Sequence, residues 1–347
     1  MKTMQWTVDA KKDLSTNYSQ ISQAAQLLQK NEVVAFPTET VYGLGANAMS
    51  TEAVMKIYEA KGRPSDNPLI VHISKIEDLE RFTENIQPYA EELIKSFWPG
   101  PLTIVVPCKQ GKLSTKVTAG LDTVAVRMPS HPVAMEIIKQ SGLPIAAPSA
   151  NLSGKPSPTK AVHVLNDLDG KIAGIIDGGP TGVGLESTVV SCIGEAPVIL
   201  RPGGITKEEL ERVAGPVRMD EALTDERKAP ISPGMKYRHY APVAPLTIVD
   251  GRPEQIQELA DRYRQEGLRV GILTTKERES VYNASSVKSC GSRSKLDTVA
   301  YSLYDTLRSF DDDELDILLA ESFPDEGVGK AIMNRLLKAA GNKMLQL

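Results

Sequence analysis

The chain has 347 residues, 41% apolar and 24% charged, a composition that excludes a disordered protein and a length that favours two domains over one hydrophobic core. Its net charge of -4 argues against a protein that binds nucleic acid over its whole surface. Its three cysteines are far apart and odd in number, which excludes a disulfide framework and a cysteine-based zinc site.

The first two-thirds of the chain combines short apolar runs, typical of buried strands, with amphipathic segments, typical of helices. Strands outnumber helices, so we expect an α/β domain built on a large mixed sheet rather than a strict alternation of strand and helix. In chain order, helices are predicted at residues 19–31, 51–60, 131–140, 159–168 and 206–213, and strands at 33–37, 69–73, 102–107, 123–128, 144–147, 174–177, 187–192 and 197–200.

Residues 216–245 differ from the rest of the chain, because they contain five prolines and little apolar periodicity. That composition predicts a linker or an ordered extended segment. Within it, the sequence MKYRHY at 235–240 carries two aromatic and three basic side chains, which a passive tether would not need. We therefore expect a lid over the first domain's cavity; the alternative is that these side chains join the two domains.

Beyond the linker, strands and helices alternate regularly. Strands are predicted at residues 246–250, 270–274 and 315–320, and helices at 253–266, 295–310 and 329–344. This pattern predicts a small doubly wound, Rossmann-like domain. The expected organisation is therefore a catalytic domain at 1–215, a linker or lid at 216–245 and a second domain at 246–347.

Common signatures of nucleotide binding and hydrolysis are absent from the sequence. It contains no Walker loop, no G-x-G-x-x-G after a strand, no G-x-S-x-G elbow and no H-E-x-x-H. Polar loops instead follow several predicted strands, at the carboxyl ends where open α/β sheets bind ligands. The first, PTETVYGLG at residues 37–45, offers two threonine hydroxyl groups and two glycines that let the backbone approach a ligand. The alternative is that it only turns the chain into the next helix.

The second loop, KGRPSDNPL at residues 61–69, places Lys61 and Arg63 on either side of a glycine and is stiffened by two prolines. Such a loop suits a polyphosphate, because arginine binds phosphate oxygens through two nitrogens. The alternative is a solvated helix terminus whose cations oppose the helix dipole, which accounts well for Lys61 and poorly for Asn67. His72, within an apolar strand, is by itself typical of a core histidine.

The third loop runs from Ala146 through SANLSG to Ser157. Its small residues carry hydroxyl and amide groups and could line a site for an adenosine and its phosphates. The alternative is a polar turn without a ligand. Arg127 and Arg201 lie in otherwise apolar strands, which indicates an anion inside a cavity.

Five motifs together resemble the YrdC-type threonylcarbamoyl-AMP synthases: PTETVYGLG, KGRPSDNPL, SANLSG, EST at 186–188 and LRPG at 200–203, in the family's order and approximate spacing. The resemblance covers about residues 19–213, and SPGMKYRHYAP at 232–242 with the second domain is similar to the longer branch of the family. It implies a YrdC-like domain with a large cavity. It also implies that L-threonine, bicarbonate or CO2, and ATP form threonylcarbamoyl-AMP and pyrophosphate, after which other proteins transfer the threonylcarbamoyl group to tRNA.

The resemblance also implies residue roles. Threonine and its carbamate would be bound by Thr40, His72, Arg127, Ser187 and the backbone of Ala147. ATP would be bound by Arg63, Asn67, Thr123, Ser149, Asn151, Ser157, Arg201 and, from the linker, Tyr240. The catalytic cations would be Lys56, Lys61 and Arg63. Mg2+ would accompany ATP on its phosphates, with no dedicated protein ligands.

Two other functions remain open at this point. Hydrogenase-maturation carbamoyltransferases contain a similar domain, but they carry zinc-finger modules that three scattered cysteines cannot build. A non-catalytic RNA-binding module is disfavoured by the net negative charge. A direct contact with tRNA is not required. The amino terminus has no apolar stretch and the longest uncharged run is short and polar, so we expect a soluble cytoplasmic protein.

Overall fold

A computed structural model describes residues 2–223 and 239–347, which divide into two compact units. The first unit comprises residues 2–153, 158–182 and 186–223, and the second comprises 154–157, 183–185 and 239–347. The two short segments of the second unit were not expected from the sequence, where they lie inside the predicted catalytic domain. Most of the predicted lid, residues 224–238, lies outside the described residues, so the lid stays a prediction.

The first unit is built on a mixed eleven-stranded sheet with the strand order β1-β8-β2-β3-β7-β4-β6-β5-β9-β10-β11, which confirms the predicted fold class. Its strands are β1 (Met4–Thr7), β2 (Val34–Pro37), β3 (Tyr42–Asn47), β4 (Ile70–His72), β5 (Leu102–Pro107), β6 (Thr123–Arg127), β7 (Ile145–Ala146), β8 (Gly174–Asp177), β9 (Thr188–Ser191), β10 (Val198–Arg201) and β11 (Arg218–Met219). Its helices are α1 (Leu14–Asn17), α2 (Ser19–Gln29), α3 (Thr51–Lys61), α4 (Pro88–Phe97), α5 (Thr115–Thr118), α6 (Pro132–Ser141), α7 (Ala161–Leu168) and α8 (Lys207–Ala214).

Residues 37–45, left open in the sequence as a ligand-binding loop or a turn into the next helix, belong to a β-hairpin. β2 pairs antiparallel with β3, with Phe36 opposite Gly43 and Val34 opposite Gly45. A Cβ atom on Gly45 would collide with the ring of Phe36, so glycine is required where the two strands face each other. The sequence reads as a loop because its glycines resemble turn signals, whereas Gly45 makes room for an aromatic ring.

The two faces of this sheet are covered differently. On one face, α3, α4, α7 and α8 pack on the largest core cluster. On the other face, α2 and α6 cover only the region around β2 and β8, where they pack against Phe36 and Ile176. Farther along that second face lies a small cluster that draws all its members from strands and none from the described helices: Ile70, Val105, Ala125, Val189 and Leu200. We call these five residues the sheet floor.

The second unit contains a five-stranded parallel sheet with the order β14-β13-β15-β12-β16. Its strands are β12 (Leu246–Asp250), β13 (Val270–Thr274), β14 (Ser286–Ser289), β15 (Ile317–Glu321) and β16 (Met344–Gln346), and its helices are α9 (Pro253–Gln265), α10 (Leu296–Ser309) and α11 (Gly327–Ala339). The predicted helix at 329–344 is too long at its end. Gly341 and Asn342 take positive φ angles of 60° and 64°, which ends the helix and lets Met344 start an edge strand.

Candidate functional site

Polar side chains lie on the sheet floor's own face, next to its apolar members. His72, Arg127 and Thr103 are each two residues away from a floor residue on the same strand, so they point to the same side of the sheet. His72 pairs with Arg127 across the parallel strands β4 and β6. The result is an apolar surface with a polar group at one end, the composition of a site for a small ligand.

The hairpin turn between β2 and β3 is fixed to this polar end. Thr38 donates its hydroxyl to the carbonyl of Val41 at 2.7 Å, and its oxygen lies 2.9 Å from Oγ1 of Thr40. Arg127 donates from Nη1 to Oγ1 of Thr40 at 2.8 Å, and its Nη2 lies 2.6 Å from a carboxylate oxygen of Glu39. Two residues predicted to bind threonine, Thr40 and Arg127, are therefore in direct contact.

His72 is a neutral member of this group. It is buried, and burial together with the neighbouring Arg127 guanidinium lowers the pKa of His72 to about 3. Its Nδ1 lies 3.2 Å from the carbonyl of Ile70. A neutral imidazole offers a hydrogen bond to a ligand without adding charge beside Arg127.

Ser187 is held by a residue that the sequence did not single out. Its hydroxyl oxygen lies 2.7 Å from Oγ1 of Thr103, a fully buried residue of β5. Arg201 donates to the backbone carbonyl of Ser187 from Nε at 3.2 Å and from Nη2 at 3.0 Å. Thr103 is the one polar residue in the apolar run Leu102–Pro107, and that signal was available in the sequence.

The EST and LRPG motifs meet at the same place. A Cβ atom on Gly203 would overlap the backbone of Glu186, Ser187 and Thr188. Glycine is therefore required at position 203, because the two backbones touch where any side chain would stand. The contact fixes the segment that carries Ser187 against the segment that carries Arg201, 14 positions later.

The second predicted loop begins where α3 ends. Gly62 caps the helix with a φ of 59°, and Arg63 follows with its side chain almost fully buried. Nη2 of Arg63 lies 3.5 Å from the carbonyl oxygen of Asn67. The side-chain nitrogen of Asn67 is buried and has no hydrogen-bond partner among the described residues. An unsatisfied buried amide costs roughly 1–3 kcal/mol, and a ligand oxygen would remove that cost.

Lys61 joins the second loop to the third. Its Nζ donates to the carbonyl of Ser149 at 2.5 Å and to the carbonyl of Asn151 at 2.7 Å. Ser149 in turn donates to the side-chain oxygen of Asn151 at 2.6 Å. Lys61 was predicted as a catalytic cation. Its ammonium group is buried against these backbone carbonyls, and the catalytic role stays a prediction.

Thr123 and Ala147 border the sheet floor. Thr123 begins β6 and Arg127 ends it, so the two lie at opposite ends of that strand. The backbone N–H of Ala147 already donates to the carbonyl of Ile70 at 2.9 Å, so that amide is not available to threonine in this arrangement.

Lys56 lies apart from the other predicted residues, and its catalytic role stays a prediction. Its Nζ lies 3.0 Å from a carboxylate oxygen of Glu32 and donates to the carbonyl of Asn31, both before β2 begins, whereas Thr40 follows the end of β2. Lys61 follows Lys56 by five helical positions, which turns their side chains about 140° apart. Lys56 lines a different cavity of about 380 Å³ together with Glu59 and Lys171.

Ser157 and Tyr240, both predicted to bind ATP, belong to the second unit. Tyr240 is buried there with a φ of 66° and stacks on Tyr304 with ring centroids 5.2 Å apart. The guanidinium of Arg335 lies 5.7 Å from the Tyr240 ring centroid. Their assignment to ATP stays a prediction.

Two negative findings apply to residues 2–223 and 239–347. They contain no group of three or more histidine, cysteine, aspartate or glutamate side chains that could hold a metal ion. None of their helices is both long enough and apolar enough to cross a membrane.

Two family profiles match the chain. The profile described as "Telomere recombination" matches residues 26–203, and the profile described as "Threonylcarbamoyl-AMP synthase, C-terminal domain" matches residues 205–341. Together they extend over most of the chain.

The chain is similar to known threonylcarbamoyl-AMP synthases over its whole length. It is 65% identical to the threonylcarbamoyl-AMP synthase of Bacillus subtilis (strain 168), with 100% of both chains covered. It is 48% identical to the threonylcarbamoyl-AMP synthase of Pyrococcus abyssi (strain GE5 / Orsay), covering 93% of this chain and 95% of that one. Among solved structures, it is similar to Pyrococcus abyssi Sua5 complexed with L-threonine, with a TM-score of 0.92, 45% identity, and coverage of 99% of this chain and 100% of that one.

Proposed function

Because the chain belongs to the threonylcarbamoyl-AMP synthase family, we propose that it forms threonylcarbamoyl-AMP from L-threonine, bicarbonate or CO2, and ATP, and releases pyrophosphate. The observation that carries the proposal is the polar end of the sheet floor, where Thr40, His72 and Arg127 meet. A cation, a neutral imidazole and a hydroxyl in a buried setting suit a small polar amino acid. The threonine bound in the Pyrococcus abyssi Sua5 structure supports this choice of substrate.

The threonine carboxylate would bind the Arg127 guanidinium, since arginine and carboxylate form paired charge-assisted hydrogen bonds. Thr40 and Ser187 place hydroxyl groups at the same end, where they can bond the threonine hydroxyl or the carbamate. Because Thr103 and Arg201 hold Ser187 before a ligand arrives, the site needs little rearrangement to accept one.

ATP would lie along the loops at residues 61–69 and 146–154. The Arg63 guanidinium would bind phosphate oxygens, and the unpartnered amide of Asn67 would donate to an acceptor on the nucleotide. Ser149 and Asn151 would border the adenosine, in a loop that Lys61 holds in place. Of the three predicted catalytic cations, we retain Arg63 for the phosphates, give Lys61 a positioning role and leave out Lys56.

The chemistry asks for positioning and positive charge. A carbamate oxygen attacks the α-phosphorus of ATP while negative charge builds on the phosphates, and pyrophosphate leaves. Arg63 would stabilise that charge, and no protein nucleophile is required. A magnesium ion would neutralise part of the phosphate charge when ATP is bound. Phosphate oxygens and water would hold it, because the described residues offer no cluster of carboxylates for a metal.

The product is a reactive acyl-adenylate, so we propose that it passes to other proteins that transfer the threonylcarbamoyl group to tRNA. We place this reaction in the cytoplasm, where tRNA, ATP and threonine are found together.

The test is mass spectrometry of the products formed by the full-length protein from ATP, L-threonine and bicarbonate. Threonylcarbamoyl-AMP should appear only when all three are present. Arg63→Ala should reduce its formation by about ten- to a hundredfold, the cost of one charged hydrogen bond. Arg81→Ala is the matched control, because Arg81 is a surface residue that pairs with Asp78. Pyrophosphate release that does not depend on threonine would refute the proposal.

A further inference from the structure

Glu39 lies in the middle of the hairpin turn, between the two threonines of the PTETVYGLG motif. Its Oε1 is 2.6 Å from Nη2 of Arg127, and the two side chains are only 13% and 4% exposed. The Glu39 backbone is held as well, because its carbonyl accepts a hydrogen bond from the N–H of Gly182 at 3.0 Å. The carboxylate is thus fixed beside the group that we assign to the threonine carboxylate.

Neither oxygen of this carboxylate accepts a hydrogen bond from a described residue, and Oε1 has only its ion pair with Arg127. Oε2 of Glu39 is buried and accepts no hydrogen bond from any described residue. A carboxylate oxygen offers two lone pairs, and leaving them unsatisfied away from water is costly. The site therefore presents a buried acceptor that lacks a donor.

Glu39 and Arg127 form the charged pair beside Thr40 and His72. His72 is neutral at physiological pH, since burial and Arg127 lower the pKa of His72 to about 3. Burial also lowers the pKa of His131, although the nearby Glu39 carboxylate acts in the opposite direction. This part of the site therefore presents a positive group, Arg127, beside a negative one, Glu39.

An α-amino acid carries the complementary pair, a carboxylate and an ammonium group on one carbon atom. We propose that Glu39 binds the ammonium group of the entering amino acid while Arg127 binds its carboxylate. The zwitterion would take the place of the internal ion pair, so no charge is left buried without a partner. This inference rests on the proposed function, because it takes threonine as the ligand.

Glu39 has one simpler role, which is to orient Arg127. The two roles differ in which ligands they affect. A residue that only orients Arg127 influences every carboxylate ligand equally, whereas a residue that binds ammonium influences only ligands that carry an amino group.

The experiment uses titration calorimetry on the full-length protein with two ligands. One is L-threonine, and the other is 3-hydroxybutanoate, which keeps the carboxylate, hydroxyl and methyl groups and lacks the amino group. Glu39→Gln should weaken the binding of threonine by about ten- to a hundredfold and leave the binding of 3-hydroxybutanoate unchanged or stronger. Glu32→Gln is the matched control, because Glu32 also pairs with a cation at 3.0 Å but lies before the other end of β2.

Equal weakening for both ligands, or no weakening for either, would overturn the role of Glu39. Failure of the unmodified protein to bind threonine would instead overturn the proposed function, and the inference with it. If Glu39→Gln does not fold, Glu39→Asp keeps the charge on a shorter side chain. Its threonine affinity should then fall while its affinity for 3-hydroxybutanoate does not, and an equal fall for both would again refute the inference.

Discussion

Replacing Thr103 by valine tests whether the buried hydroxyl pair on the sheet floor's face organises the site. The change removes one oxygen and keeps the branched shape that suits strand β5. Ser187 loses its 2.7 Å contact with Thr103 but keeps the bond from Nη2 of Arg201 at 3.2 Å. Because one partner remains, we expect the loss of a single net hydrogen bond, about 1 kcal/mol of unfolding free energy.

The same 1 kcal/mol corresponds to about a fivefold rise in the KM for threonine if Ser187 must stay in place to bind it. Urea unfolding measures the first quantity, and pyrophosphate release at varied threonine measures the second. Thr188→Val is the control: it removes a hydroxyl that donates to the carbonyl of Ile205 at 2.6 Å, so it should lower stability and leave this KM unchanged.

A double-mutant cycle with Ser187→Ala completes the test. If the two hydroxyls interact, the effects of Thr103→Val and Ser187→Ala on stability should fall short of additivity by about 1 kcal/mol. Strict additivity, or an unchanged KM for threonine in Thr103→Val, would refute the reasoning.

Three further predictions follow from single side chains. The pKa of His72 in the folded protein, about 3, lies below its ordinary value of 6.5. Between these values, His72 is protonated in the unfolded chain but not in the folded protein. Below pH 6.5, stability should therefore decrease by about 1.4 kcal/mol for each unit by which the pH is lowered. His72→Asn should flatten that slope, measured by urea unfolding between pH 7 and pH 5. Asn67→Leu removes an amide without a partner, so the KM for ATP should rise about tenfold while the melting temperature does not fall; a fall in melting temperature with an unchanged KM would contradict this. Lys56→Gln breaks a partly exposed ion pair, so it should cost under about 1 kcal/mol of stability and leave kcat unchanged; a large loss of kcat would return Lys56 to the catalytic group.

Buried strands were the part of the fold most open to prediction. The runs at 102–107 and 246–250 gave the bounds of β5 and β12 without error, because strands buried on both faces are mostly apolar. β3 was missed because its glycines resemble turn signals, although Gly45 is there to make room for the ring of Phe36 on the neighbouring strand. α4, Pro88–Phe97, was also missed, although its proline at the first turn is a helix-start signal.

Many residues of the candidate site could be named from the sequence, but the contacts between them could not. Loop composition pointed to Arg63 and Asn67, and the resemblance pointed to Thr40 and Arg127. The partnership of Thr103 with Ser187 joins residues 84 positions apart through the pairing of β5 with β9, which no local pattern reveals. Lys56 and Lys61 both lie on α3 but point in different directions, which the sequence alone did not show.

The close approach at Gly203 has a consequence for how the sequence can be recombined. The backbone at 186–188 and the backbone at 200–203 leave no space between them for a methyl group, so their shapes were set jointly. A chimaera that takes one segment from one relative and the second from another would bring together surfaces that were fitted to different neighbours. Crossover points for exchanging parts between relatives should therefore lie before residue 186 or after residue 203, with the strands between them inherited as one block.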